Sequence, residues 1–337
     1  MGDAGPDSSL QAAVDEALER SDGTEVAALV ETLPSASVET RKACLRSLKA
    51  AVTDDPAPVE PALPACEALL EDAERSVRLT TTKLFVAVAE AVPEAVVPMV
   101  PALADRLADE EEFYYVRARS AEALGYAALE HPDIVVSPEL LADLRIGLSF
   151  DESEVKEKLA KTLEHVALGD PERLRHHVPA LADHLDDENV LVRYHLSTAL
   201  TVVGCEHPRR LAEASDALGA RLADENAHVQ GRAAEALGLL THSEADVSLS
   251  EPLAELGDDG EPFVAKRVRF ALTLNGPDNG NEQPETDNGI GSIDAIRETT
   301  DEAVSEITAP DGDGCPHCGL TLPEGGPPMC PQCGAPY

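Results

Sequence analysis

The chain has 337 residues, with 64 acidic against 26 basic side chains and a formal charge of −38. That balance leaves no basic stripe able to hold a phosphate backbone, so the sequence argues against nucleic acid as a principal partner. No apolar run approaches the roughly 20 residues of a membrane span. The first nine residues, MGDAGPDSS, lack the basic and apolar regions of a signal peptide, so the expected compartment is the cytoplasm.

In chain order, residues 1–9 are small and polar and predict a disordered tail. Residues 10–20 predict a short amphipathic helix with Leu10, Val14, Ala17 and Leu18 on one face, a candidate cap for a helical stack. Asp22-Gly23 ends it, and residues 24–33 form the next helix, stopped before Pro34.

From there one helix recurs seven times. Its clearest copy, DENVLVRYHLSTALTVV at 187–203, carries Val192, Leu196, Ala199, Leu200 and Val203 on one face. The stripe returns as Val77/Thr81/Leu84/Phe85/Val88, Val116/Ser120/Ala123/Leu124/Ala127 and Val155/Leu159/Thr162/Leu163/Val166. Further copies are Val229/Ala233/Ala236/Leu237/Leu240, Val264/Val268/Ala271/Leu272 and a weaker first one, Thr40/Cys44/Ser47/Leu48/Ala51. The anchors at 40, 77, 116, 155, 192, 229 and 264 lie 37, 39, 39, 37, 37 and 35 residues apart, the spacing of a repeat array.

Each repeat reads as an outer helix A, a turn and the striped helix B. Later A helices carry Pro64-Ala65-Cys66, Pro101-Ala102-Leu103 and Pro179-Ala180-Leu181, which predict a proline bend inside the helix. Five residues before the anchors stand Asp72, Asp187, Asp224 and Asp259, with Glu111 in the third copy, Ser35 in the first and a shifted Asp151 in the fourth. These predict N-caps for the B helices. Arg41, Arg78, Arg117, Lys156 and Arg193 follow the anchors directly, with Gln230 and Ala265 in the last two copies, and predict ion pairs between neighbouring repeats.

The period, the two-helix unit, the proline phrase and the Asp…Val-Arg phrase resemble HEAT repeats over roughly residues 24–275. The Ala/Leu-rich B helices, such as AAEALGLL at 233–240, are similar to the bilin-lyase type of that family. The resemblance implies an all-α, right-handed α-solenoid of about seven helix pairs, with B helices lining a concave face. It implies no particular activity.

The periodicity ends at Leu274. Residues 276–291 read as a flexible acidic linker. Residues 292–308 predict an amphipathic helix with Ile293, Ile296, Val304 and Ile307 on one face, able to dock on a partner, on its own solenoid or on a second copy.

Residues 309–337 hold the strongest chemical signal: Cys315-Pro316-His317-Cys318-Gly319 and Cys330-Pro331-Gln332-Cys333-Gly334, two CxxC knuckles each followed by glycine. Each tight turn brings two thiolates onto one metal. The segment resembles a rubredoxin-type zinc ribbon. Cys315, Cys318, Cys330 and Cys333 are therefore the expected ligands of one structural Zn2+, with iron in the same cage the alternative and His317 a bystander. So small a unit has almost no core, so the metal supplies its folding energy.

The acidic excess is not confined to a tail, since residues 1–275 carry a net −27, 276–314 a net −10 and 315–337 a net −1. Seven Lys against nineteen Arg and no Trp complete a composition that resembles cytosolic proteins of extreme halophiles. Glu130-His131, Glu164-His165 and Glu206-His207 invite comparison with the di-iron HEAT-like deoxyhypusine hydroxylases. Their order is reversed, however, and their place in the repeat varies, so they read as structural residues. His176, His177, His184 and His195 have no spacing that defines a ligand set, and Cys44, Cys66 and Cys205 read as small buried residues. The basic clusters Lys156/Lys158/Lys161 and Lys266/Arg267/Arg269 are small. The sequence favours a non-enzymatic scaffold for a protein partner, with the ribbon as a second contact. The alternatives are a metal-dependent hydroxylase or lyase on the same repeats, and a nucleic-acid-associated assembly factor.

Overall fold

The computed structural model describes residues 6–243, 261–272 and 289–308. No strand occurs among the described residues. The chain forms two compact units, Met1–Gly169 and Asp170–Tyr337. Each is a stack of helix pairs, the α-solenoid class.

The first unit begins with α1 (Pro6–Glu19) and α2 (Gly23–Val30). Its first B helix is α3 (Val38–Asp54), followed by the outer α4 (Leu63–Glu67) and by α5 (Arg75–Ala91). Next come α6 (Pro93–Val96), α7 (Val100–Ala108) and α8 (Tyr114–Glu130), then α9 (Pro132–Val135), α10 (Pro138–Gly147) and α11 (Ser153–Gly169). The second unit contains α12 (Val178–Ala182), α13 (Val190–Glu206), α14 (Ser215–Arg221), α15 (Ala227–His242), α16 (Pro262–Leu272) and α17 (Ile293–Thr308).

The seven striped segments are α3, α5, α8, α11, α13, α15 and α16. In the first unit α3, α5, α8 and α11 pack on one another in that order; in the second, α13 packs on α15 and α15 on α16. All seven anchors are buried, from Thr40 at 6% exposed to 0% for the five from Val77 to Val229. Each fully buried Val or Leu contributes about 1.5–3 kcal/mol, so the stripes are the main source of stability. The first copy departs from its expected register. Ser47 and Ala51 are half-buried, whereas Leu45 and Val52 join Thr40, Cys44 and Leu48 in the core.

Other local expectations need correction. The N-terminal helix starts at Pro6, inside the expected tail, because proline is suited to a first helical turn. The first A helix stops at Val30, and Leu33–Ser35 forms a separate 3-10 turn. The phrase prolines do not bend helices from within. Pro64, Pro101 and Pro179 sit in the first turns of α4, α7 and α12, where the missing N–H would have had no partner anyway. Short 3-10 turns at 60–62 and 97–99 precede the first two, so the outer layer changes direction between helices.

The acids before the anchors have a different task from the one expected. The N-caps lie three residues before the anchor: Ser37 accepts from the Thr40 N–H, Asn189 from Leu191, and Asn226 from His228 and Val229. Asp72, Asp187 and Asp224 instead accept the N–H two residues on, at 2.8, 2.8 and 3.0 Å. Ser35 ends its 3-10 turn and donates to the Thr32 carbonyl. Asp259 lies outside the described residues.

The post-anchor arginines then join successive repeats. Arg41 pairs with Asp72 at 2.9 Å, Arg78 forks onto Glu112, and Arg193 forks onto Asp224 at 2.8 and 2.9 Å. Glu112, not Glu111, is the acid of the third copy; it is nearly buried while Glu111 is exposed. Arg78 and Arg193 also donate to carbonyls of their own turn, at Asp72 and at Asp187 and Glu188. Arg117 departs from the scheme, donating to the Leu107 carbonyl beneath the Phe150 ring.

Arg193→Ala would strip a buried carboxylate of its forked donor and two carbonyls of theirs, leaving Asp224 the Asn226 N–H at 3.0 Å and, as its one cation, Arg221 at 3.1 Å. The expected cost is about 3 kcal/mol in urea unfolding. Arg20→Ala removes an exposed pair with Glu25 and an exposed bond to the Glu16 carbonyl and should change stability by about 0.5 kcal/mol or less.

Candidate partner-binding face

The B helices of the second unit carry a covered trough. α17 packs on α13 and meets side chains of α15 in antiparallel order: Gly291 meets Glu235, Ile296 and Thr300 meet Arg232, and Glu306 meets His228. Ser292 caps α17 by accepting the Ala295 N–H. On its inner side Ala303 packs with Tyr194 and Val229, flanked by Val190, Val304 and Ile307. Ile296, Thr300, Ala303 and Thr308 are buried, while Ile293, Val304 and Ile307 are half-buried. Of the three docking modes the sequence allowed for this helix, the structure shows the intramolecular one.

The floor of the trough is ionic. Arg232 is completely buried. Its Nη1 pairs with Glu235 at 3.0 Å, and Arg267 Nε reaches the same Glu235 oxygen at 2.8 Å. The other Glu235 oxygen accepts the Gly291 N–H at 2.9 Å. Arg232 Nη2 turns to α17, donating to the Thr299 hydroxyl at 2.9 Å, the Ile296 carbonyl at 3.2 Å and the Thr300 hydroxyl at 3.3 Å; the Tyr194 hydroxyl lies at 3.4 Å. Phe263 stacks on the Arg267 guanidinium, 3.4 Å from the ring centroid. Burial alone would raise the Glu235 carboxyl, but Arg232, Arg267 and the Gly291 N–H outweigh it and hold it below the usual range. Gly291 must be glycine: its φ is +83°, and a Cβ there would stand 2.6 Å from the Phe270 ring.

Beside α17 opens a cleft of about 730 Å3, lined among others by His228, Phe263, Lys266, Arg267, Thr299 and Glu302. His228 Nε2 meets Glu306 at 2.8 Å, and burial keeps the imidazole below its usual pKa despite that carboxylate.

Of the basic clusters noted in the sequence, Lys158, Lys161 and Arg267 are engaged within the fold, while Lys266 is exposed at the cleft. Lys158 and Lys161 approach Glu122 at 3.7 and 3.8 Å, and Arg119 pairs with the same carboxylate. Lys161 also donates to the Tyr126 hydroxyl at 2.8 Å. Burial would raise Glu122, but Lys158, Arg119 and Lys161 outweigh it and hold it well below the carboxylate range. Arg267 belongs to the ionic floor.

The Glu-His pairs do not converge. His131 and His207 are the C-cap residues of α8 and α13, while Glu164 and His165 are buried in the middle of α11, with His165 against Tyr126. His207 meets Glu172 at 2.9 Å. His176 accepts from Arg175, His177 precedes α12 and His195 is buried in α13. Among the described residues no group of three or more His, Cys, Asp or Glu could hold a metal. Cys44 and Cys66 are completely buried and Cys205 partly so; burial pushes the three thiols up to about 11, about 12 and about 12. The expected zinc ligands Cys315, Cys318, Cys330 and Cys333 lie outside the described residues. No helix among the described residues is long and apolar enough to cross a membrane.

No protein-family model matches the sequence, and no curated protein does. Solved structures match the fold. An engineered protein is similar over 91% of this chain and 82% of its own, with TM-score 0.62 and 20% identity. A designed armadillo repeat protein is similar over 63% of this chain and 98% of its own, with TM-score 0.54 and 22% identity. A computationally designed armadillo repeat protein, described as made for modular peptide recognition, covers 62% of this chain and 97% of its own, with TM-score 0.52 and 21% identity. At such identities the likeness establishes a helical-repeat fold. It does not speak to the bilin-lyase type of HEAT repeat or to the ribbon.

Proposed function

We propose that the chain is a non-enzymatic scaffold whose B-helix face holds a protein partner and whose C-terminal ribbon makes a second contact. One observation carries this reading: the B-helix face of the second unit already binds an amphipathic helix through a buried arginine and an apolar strip. The fold-level likeness to a design for peptide recognition supports it by analogy. A tethered second contact would raise the effective concentration of the first.

The test is partner capture in molar KCl, where an acidic surface is least self-repelling. The full chain is compared with one ending at Asn275. A stoichiometric protein held by both places recognition on the repeats. One lost on truncation places it on the tail, and nothing held by either sinks the scaffold reading.

In this reading Cys315, Cys318, Cys330 and Cys333 hold one structural Zn2+; four thiolates from two CxxC turns are the donor set that closes a zinc sphere. Thiol labelling of the native protein tests it. Cys44, Cys66 and Cys205 should react only after denaturation, because burial disfavours their thiolates. The four ribbon thiols should become reactive on chelation alone, with release of one zinc per chain. Iron released in its place would select the alternative metal, and four thiols reactive before chelation would remove the metal from the proposal.

A further inference from the structure

We propose that the trough lined by Val190, Tyr194, His228, Val229 and Arg232 is a recognition site for an acidic amphipathic helix of a partner protein, and that α17 is its tethered stand-in. The inference rests on the scaffold reading and says where, and for what chemistry, the partner site exists.

Three features show that α17 is an incomplete occupant. First, the ionic floor is unbalanced. Arg232 and Arg267 share one carboxylate, Glu235, so the triad carries one excess positive charge. α17 meets that excess with the Thr299 and Thr300 hydroxyls and the Ile296 carbonyl, all neutral oxygens. These bonds are already charge-assisted on the donor side, but neutral oxygens leave the excess charge standing, whereas a carboxylate would add direct Coulomb attraction to it. A helix with Asp or Glu at the place of Thr299 would therefore hold Arg232 better than α17 does.

Second, the fit is loose. Ile296 is the one large apolar side chain of α17 that is fully buried. The cleft of about 730 Å3 remains open beside Ala295, Thr299 and Glu302, on the side of Phe263 and Lys266. A longer acidic side chain has both the space and a lysine to meet.

Third, an acidic side chain of α17 already meets a trough residue. The helix carries Asp294, Glu298, Asp301, Glu302 and Glu306 against Arg297. Glu306 reaches His228 at 2.8 Å. Twenty residues, 273–292, separate α16 from α17. Because α17 belongs to the same chain as the trough, a partner helix in trans must displace an intramolecular competitor to enter.

The experiment uses full-length protein in molar KCl and a fluorescent peptide of residues 289–308. The wild-type chain is compared with Ile296→Lys/Ala303→Lys, which sets like charge against the Arg232/Arg267 floor to disable α17 and leaves every trough residue in place; its melting transition confirms that the repeats stay folded. The double variant should bind the peptide at least 10-fold more tightly than the wild-type chain does, because its tethered competitor is gone. A peptide carrying Thr299→Glu should bind the double variant at least 10-fold more tightly than the unmodified peptide. Equal binding to both chains, or no binding to a folded double variant, overturns the trough assignment. A Thr299→Glu peptide that binds no better overturns the acidic preference. A wild-type dimer that the double variant abolishes makes a second copy of the chain the occupant and likewise overturns the proposal. Failure here leaves the scaffold reading to be judged by the capture experiment, so the two fail separately.

Discussion

Glu235→Gln is expected to destabilise the second unit by about 3–5 kcal/mol. The side chain is 1% exposed and is the shared acceptor of two buried guanidiniums. Glutamine keeps the shape and one acceptor oxygen but leaves Arg232 and Arg267 as like charges in a poorly solvated space. The amide also presents its NH2 group either to the Gly291 N–H or to both arginines at once, since the two guanidiniums share one carboxylate oxygen. Because Gly291 leads into α17, the loss should extend to helix docking. The pH dependence has the same origin. The folded Glu235 carboxyl lies below the ordinary range, so its contribution is fully present above the unfolded value of about 4.3 and is lost as pH falls through the folded value. Urea titrations from pH 7 downwards should show the wild-type advantage shrinking in acid and the two proteins converging. A variant within about 1 kcal/mol of wild type at pH 7 would show that the triad is solvated in solution.

The repeat architecture was readable because its cause is periodic. One apolar face recurs at a fixed spacing, and every anchor it predicts is buried. The arginine joints were readable for the same reason, since Arg41, Arg78 and Arg193 keep a constant offset from the anchors. The caps were misassigned because an aspartate in a turn can accept any nearby N–H; only the backbone path shows that Asp187 serves Asn189 while Asn189 serves Leu191. Arg232 and Glu235 were missed for a deeper reason. A striped helix is read as one buried face and one wet face, but a B helix is flanked by other B helices and, here, by α17. In α13 every residue from Leu191 to Gly204 is buried. The available signal was an Arg and a Glu three apart inside GRAAEALGLL, with only small or apolar neighbours. In the amphipathic segment 292–308 Ile296 was visible and is buried, but the other inward contacts, Thr300 and Ala303, are small residues that a hydrophobicity pattern ranks low.

Two glycines of the second unit should respond to added side chains with opposite signs. Gly238 lies at a close approach of α15 and α16: a Cβ there would stand 2.9 Å from Ala271 Cα, 3.0 Å from Ala271 Cβ and 3.0 Å from the Phe270 ring. None of the Ala271 atoms can rotate away, so Gly238→Val must push α16 outward. Overpacking of this kind costs about 1–3 kcal/mol, and two branched methyls put valine at the upper end, about 3 kcal/mol. Gly219, in α14, has nothing within 4 Å of its would-be Cβ. There Gly219→Ala should stabilise by about 0.5–1 kcal/mol, because alanine removes backbone freedom from the unfolded chain and loses nothing in the folded one. Thermal unfolding of the two variants beside wild type decides the matter. The signs should differ even though both changes are made at helical glycines, because helix propensity alone would favour a side chain at either site and only the contact with α16 opposes it. If Gly238→Val melts at or above the wild-type temperature, α15 and α16 are not packed backbone to backbone, and the last described repeat is looser than its geometry indicates.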